Sequence, residues 1–135
     1  MPERAFFSVL TPDPGRVAAW YRDLLGYDTV FDSDWFVQLR DPRHELLELG
    51  FLRRDHEIVP ERSRAAGTGG MLTFVVDDVD ATHRWALDAG LEVLEPPRNL
   101  FYGQRRMLLL DPDGQLVDVS SECPPDPEWL ASLTG

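Results

Sequence analysis

Apolar and polar positions switch between two periods along this chain, and they do so twice in the same order. AFFSVL (5–10) is a short apolar run closed by the breaker TPDPG, the pattern of a strand. Asp13 then suits a helix N-cap, with Pro14 at the first helical position, where a missing N–H costs nothing. Val17, Trp20, Tyr21 and Leu24 recur at helical spacing, and Gly26 supplies the left-handed stop. Three strand-like segments follow: YDTVFD (27–32), WFVQLRD (35–41) and HELLELGFL (44–52). The order repeats from MLTFVV (71–76), through a helix from Asp77-Asp78 to about Ala89 and Gly90. LEVLEPPR (91–98) reads as a strand stopped by its prolines. RRMLLL (105–110), a DPDG turn and QLVDVSSE (115–122) complete the second copy.

The pattern predicts an α+β chain of two tandem βαβββ modules, 5–52 and 71–122, inside a single domain spanning 1–135. Residues 53–70, polar and glycine-rich, read as a solvated linker or as a flap. CPPDPEWLASLTG (123–135) is a tail with a turn of helix carrying Trp129 and Leu130. GTGG (67–70) precedes a strand rather than a helix, so it lacks the N-terminus that an anion site uses.

Charge and composition narrow the chemistry. A net charge of -11 argues against nucleic acid, whose phosphates need a basic face, and favours cationic small molecules. All 13 basic residues are arginine, so Schiff-base chemistry on lysine and a P-loop lysine are excluded. The single Cys123 forms no internal disulfide, no run is apolar enough for a membrane span, and no signal peptide is evident. A cytoplasmic protein is expected. Cys123 and Ser8 read as structural.

The helix WYRDLLGY (20–27), the helix DVDATHRWALDAG (78–90) and LLLDPDGQLVDV (108–119), in this doubled order, resemble the vicinal oxygen chelate superfamily. That superfamily includes glyoxalase I, bleomycin-resistance proteins and extradiol dioxygenases. The resemblance implies a half-open barrel around a cleft and a homodimer. It also implies metal ligands: a histidine on the first strand of a module and a carboxylate on the last. Here the carboxylate positions correspond to Glu48 and Asp118, treated as equivalent, while the histidine positions fall on Phe6 and Met71. Phenylalanine has no donor atom and a thioether is a soft one, so the expectation is no metal and no cofactor. His44 shares strand parity with Glu48 but stands too far along for one ion. His56 reads as a linker residue and His83 as a packed or interface residue.

A desolvated carboxylate needs a partner. Arg105 or Arg106 could pair with Glu48 or Asp118, or a ligand cation could meet them. Phe6, Trp35, Phe36, Phe101 and Tyr102 offer flat rings for stacking. The expected site is therefore Phe6, Trp35, Phe36, Glu48, Met71, Phe101, Tyr102, Arg106 and Asp118. The expected role is a binding protein of the bleomycin-resistance kind, sequestering an aromatic or cationic compound. The alternative is a glyoxalase-like lyase, isomerase or dioxygenase using Glu48 or Asp118 as base or metal ligand.

Overall fold

The computed structural model describes residues 2–65 and 70–134. The chain divides into two compact units, Met1–Gly67 and Thr68–Gly135. The first holds β1 (Phe7–Thr11), α1 (Pro14–Leu25), β2 (Asp28–Asp32), β3 (Phe36–Arg40) and β4 (Glu48–Arg53). Its sheet runs β1-β4-β3-β2, with β1 parallel to β4 and the other pairs antiparallel. The second holds β5 (Met71–Val75), α2 (Val79–Asp88), β6 (Val93–Asn99), β7 (Gln104–Leu110) and β8 (Leu116–Glu122). Its sheet repeats the plan as β5-β8-β7-β6. A short α3 (Pro127–Ser132) closes the tail. The architecture is α+β, a βαβββ arrangement in each unit. Among the described residues no helix is long and apolar enough to cross a membrane.

Both long helices start and stop where local chemistry dictates. The Asp13 carboxylate accepts from Arg16 N–H, and Gly26 adopts φ 72° at the C-terminus of α1. Asp78 caps α2 through Ala81 N–H. Ser121 Oγ, from β8, accepts from Val79 N–H at 2.7 Å and so ties α2 to its sheet. In the first unit α1 covers one face of the sheet: Val17, Tyr21, Val37, Leu39, Leu49 and Phe51 are buried, and the Tyr21 and Phe51 rings lie 5.1 Å apart. In the second, Val79, Ala86, Met107, Leu109, Val117 and Val119 form the buried set. Each of the Val, Leu, Met and Phe side chains among them contributes roughly 1.5–3 kcal/mol by leaving water. The opposite face of each sheet carries the polar and mixed positions.

Four expectations need correction. β4 starts at Glu48, not at residue 44, because Asp41 opens a turn: its Oδ1 accepts from Arg43 N–H at 2.8 Å, and its own N–H donates to Leu47 O. His44 is thereby in the turn and shares no strand with Glu48. Pro96 and Pro97 do not stop β6 but sit within it. β6 is an outer strand, and the ladder breaks register between Glu95 and Arg98, so the missing N–H groups interrupt nothing essential. β1 starts at Phe7, which leaves Phe6 just ahead of the strand.

The segment after β4 is no plain solvated connector. Arg54 N–H and Nη2 donate to Thr11 O and Leu10 O, Val59 is buried, and Arg64 donates to Val59 O and His56 O. This anchors residues 54–64 to the first unit. The Gly67, Thr68 and Gly69 of the GTGG run lie outside the described residues.

Candidate functional site

The two carboxylates stand at the same spacing from an Asp-Pro turn, Asp41 to Glu48 and Asp111 to Asp118, yet they are not structurally equivalent. The connection between the last β3–β4 pair, Arg40↔Glu48, is residues 41–47; that between the last β7–β8 pair, Leu110↔Leu116, is residues 111–115. Two extra residues keep the side chain on the same sheet face but shift it by one repeat along the strand, roughly 7 Å. Asp118 therefore stands between Thr73 and Leu108, the level that Gly50 holds between Ser8 and Gln38 in the first unit. Glu48 stands at the very start of its strand, opposite Arg40. The expected equivalence of the pair is corrected by this hairpin.

Their electrostatic situations diverge as well. The Glu48 side chain is 2% exposed and saturated from within its own unit. Arg4 grips it with two hydrogen bonds, Nε to Oε2 at 2.6 Å and Nη2 to Oε1 at 2.5 Å. Gln38 Nε2 donates at 3.2 Å and Arg40 Nη2 at 3.4 Å. The Arg4 hydrogen bonds, aided by Gln38 and by the positive charge of both arginines, outweigh burial and hold this carboxyl down at about 2. Two guanidinium groups against one carboxylate leave a local positive charge in an acidic protein. Neither Arg105 nor Arg106 is the partner: Arg105 donates twice to Asp80 at 3.0 Å, and Arg106 reaches Glu95 at 3.4 Å.

Asp118 is 5% exposed, and much less of it is satisfied. Thr73 Oγ1 donates to Oδ2 at 3.2 Å, while Oδ1 is buried with no hydrogen-bond partner among the described residues. Burial pushes its carboxyl above the ordinary aspartate value, opposed by the Thr73 hydroxyl and the positive charge of Arg106. A buried polar group left in this state costs about 1–3 kcal/mol relative to a satisfied one. On the same sheet face Met71 and Val75 are exposed, with Leu108 and Ser120 buried beside the acid.

The rings fall into separate groups. Phe6 lies under Arg4, whose guanidinium carbon is 4.8 Å from the ring centre. Phe36 neighbours Phe31 at 6.1 Å and Trp35 at 5.7 Å, and Trp35 stacks on His56 at 4.7 Å. The Phe36 ring lies over Gly50, where an added Cβ would stand 3.0 Å from it. Phe101 and Tyr102 belong to a cluster with Trp129 of the tail, 5.5 Å from Phe101. His83 is half-buried on α2.

The donors do not fit a divalent ion of the kind the resemblance implies. Opposite Asp118 stands Thr73, the Phe6 position has no donor, and Glu48 is committed to arginines. Among the described residues no three His, Cys, Asp or Glu side chains gather where one ion could be held.

Arg4, Gln38, Arg40 and Thr73 are site residues that sequence reasoning missed. Gln38 and Arg40 had a signal: they are the polar alternates of WFVQLRD, bound to share one face of a strand. Thr73 is the polar alternate within MLTFVV in the same way. Arg4 lies ahead of any element and left no trace of its role.

A family model described as Glyoxalase/Bleomycin resistance protein/Dioxygenase superfamily matches residues 5–119. Among solved structures, a glyoxalase/bleomycin resistance protein/dioxygenase family enzyme from Burkholderia phytofirmans PsJN is similar, with 22% identity and a TM-score of 0.75 over 87% of this chain and 96% of that one. Protein ATC0852 from Agrobacterium tumefaciens gives 26% identity and a TM-score of 0.72 over 92% and 100%. TioX from Micromonospora sp. ML1 gives 18% identity and a TM-score of 0.69 over 90% and 99%. No curated protein matches the sequence.

Proposed function

The chain belongs to the Glyoxalase/Bleomycin resistance protein/Dioxygenase superfamily, and on that premise we propose that it binds a small organic molecule non-covalently, with Asp118 as the polar handle. One observation carries this reading: a carboxylate buried to 5% exposure, with one oxygen held by Thr73 and the other without a hydrogen-bond partner among the described residues. A ligand N–H or ammonium that reaches Oδ1 recovers the desolvation already spent on this group, and the gain is larger than at a solvated acid. Apolar burial over Met71, Val75 and Leu108 adds the non-directional part of the affinity. Glu48, neutralised by arginines, contributes no preference for cations; in this proposal that preference rests on Asp118 alone.

The test is calorimetric titration with matched aromatic compounds that are cationic, neutral or anionic. The expected order is cation, then neutral N–H donor, then anion, with Asp118→Asn erasing the advantage of the cation. Equal binding of all three by the parent protein would overturn the assignment of Asp118. A second reading draws on the same unpartnered oxygen: an acid raised by burial is suited to accept a proton from carbon, as a lyase or isomerase requires. Turnover of a bound compound that vanishes in Asp118→Asn, with binding retained, would favour this catalyst over the carrier.

A further inference from the structure

Besides Arg54 Nε, the first unit holds two more buried polar atoms with no hydrogen-bond partner among the described residues, Gln38 Oε1 and Arg40 Nε. They stand at alternate positions of β3, on the face that also carries Glu48 and lies away from α1. Gln38 is 4% exposed. Its amide cannot turn over, because Nε2 donates to the ionised Glu48 at 3.2 Å; the flipped amide would set its oxygen against a carboxylate. Arg40 likewise commits Nη2 to Glu48 and leaves Nε. Glu48 thus works as an internal template: it orients an acceptor and a donor and is itself consumed in doing so. Next in the row, Phe36 with Phe31 at 6.1 Å supplies a flat apolar wall, and Gly50, paired with Gln38, adds no side chain to it.

We propose that this face recognises a neutral carboxamide borne on a flat ring. The amide N–H donates to Gln38 Oε1, its carbonyl accepts from Arg40 Nε, and the ring lies against Phe36. A carboxylate has no hydrogen for Gln38. An ammonium has nothing for Arg40 to donate to and meets the excess positive charge of Arg4 and Arg40. A carboxamide satisfies both atoms without charge. Half of the Arg4 side chain is exposed, at 51%, and it comes from the segment ahead of β1, so it can yield at the entrance while Gln38 and Arg40 keep Glu48 paired. This site uses none of the residues around Asp118 and goes beyond the binding reading given for that acid.

The experiment is an NMR titration of the full isotope-labelled chain with benzamide, benzoate and benzylammonium, reading the Gln38 side-chain N–H₂ and the Arg40 Nε–H signals. Fragments of this size bind at roughly millimolar Kd. Benzamide is expected to move both signals saturably, with the two charged analogues at least tenfold weaker. In Gln38→Leu the remaining Arg40 Nε–H signal should no longer move with benzamide. Should this variant fail to fold, Phe36→Leu, which leaves the Glu48 cluster untouched, should weaken benzamide several-fold. Unmoved signals, equal response to benzoate or benzylammonium, or exchange with a held water that benzamide does not displace would overturn the proposal. Shifts confined to Thr73 would do the same while leaving the Asp118 reading intact; shifts confined to Gln38 and Arg40 would do the reverse.

Discussion

Replacing Glu48 by Gln isolates the main polar cluster of the first unit. A carboxyl held at about 2 rather than at its ordinary 4.5 stabilises the folded state at neutral pH by at most about 3 kcal/mol. The partners reduce this figure. Arg4 and Arg40 are 51% and 40% exposed, so each released guanidinium recovers much of its hydration, and the expected loss is about 1–2 kcal/mol. The sign follows from the depressed value. The contribution is fully present above about pH 4.5 and is lost as pH falls toward 2, where Glu48 protonates in the folded protein too. Urea unfolding followed by tryptophan emission should therefore show Glu48→Gln less stable than the parent at pH 7, with the gap closing between pH 4.5 and 2. Trp20 and Trp35 report on the first unit. A gap that stays constant with pH would show that the loss comes from packing or from the orphaned Gln38, not from charge. No gap at pH 7 would show that the arginines contribute nothing net.

Two further outcomes follow from the same geometry. The Asp118 carboxyl should titrate above the ordinary aspartate range in a carbon-detected NMR experiment, and Thr73→Val should raise it further, since the hydroxyl favours the charged form; a fall on that substitution would refute the assigned hydrogen bond. Gly50→Ala sets a methyl 2.9 Å from Ser8 Oγ and 3.0 Å from the Phe36 ring, for a cost of roughly 1–3 kcal/mol in urea unfolding, partly relieved by a second change, Phe36→Leu. An unchanged midpoint would mean that the ring moves freely and is no fixed wall.

The sequence by itself determined the elements and their doubling, because those depend on local chemistry. Asp13-Pro14 and Asp78 cap their helices wherever the helices lie, Gly26 stops one by its own φ, and apolar runs of strand length form strands. It also contained, unread, the face shared by Gln38 and Arg40. Only the tertiary structure decided what the two acids are. A hairpin two residues longer moved Glu48 one step along its sheet, and an arginine from outside any element closed on it; neither displacement alters the spacing from Asp-Pro to acid. Identical spacing thus yields one carboxylate neutralised by three internal donors and another left desolvated, one oxygen without a hydrogen-bond partner among the described residues, because register and long-range partners are fixed by pairing between strands rather than by distance along the chain.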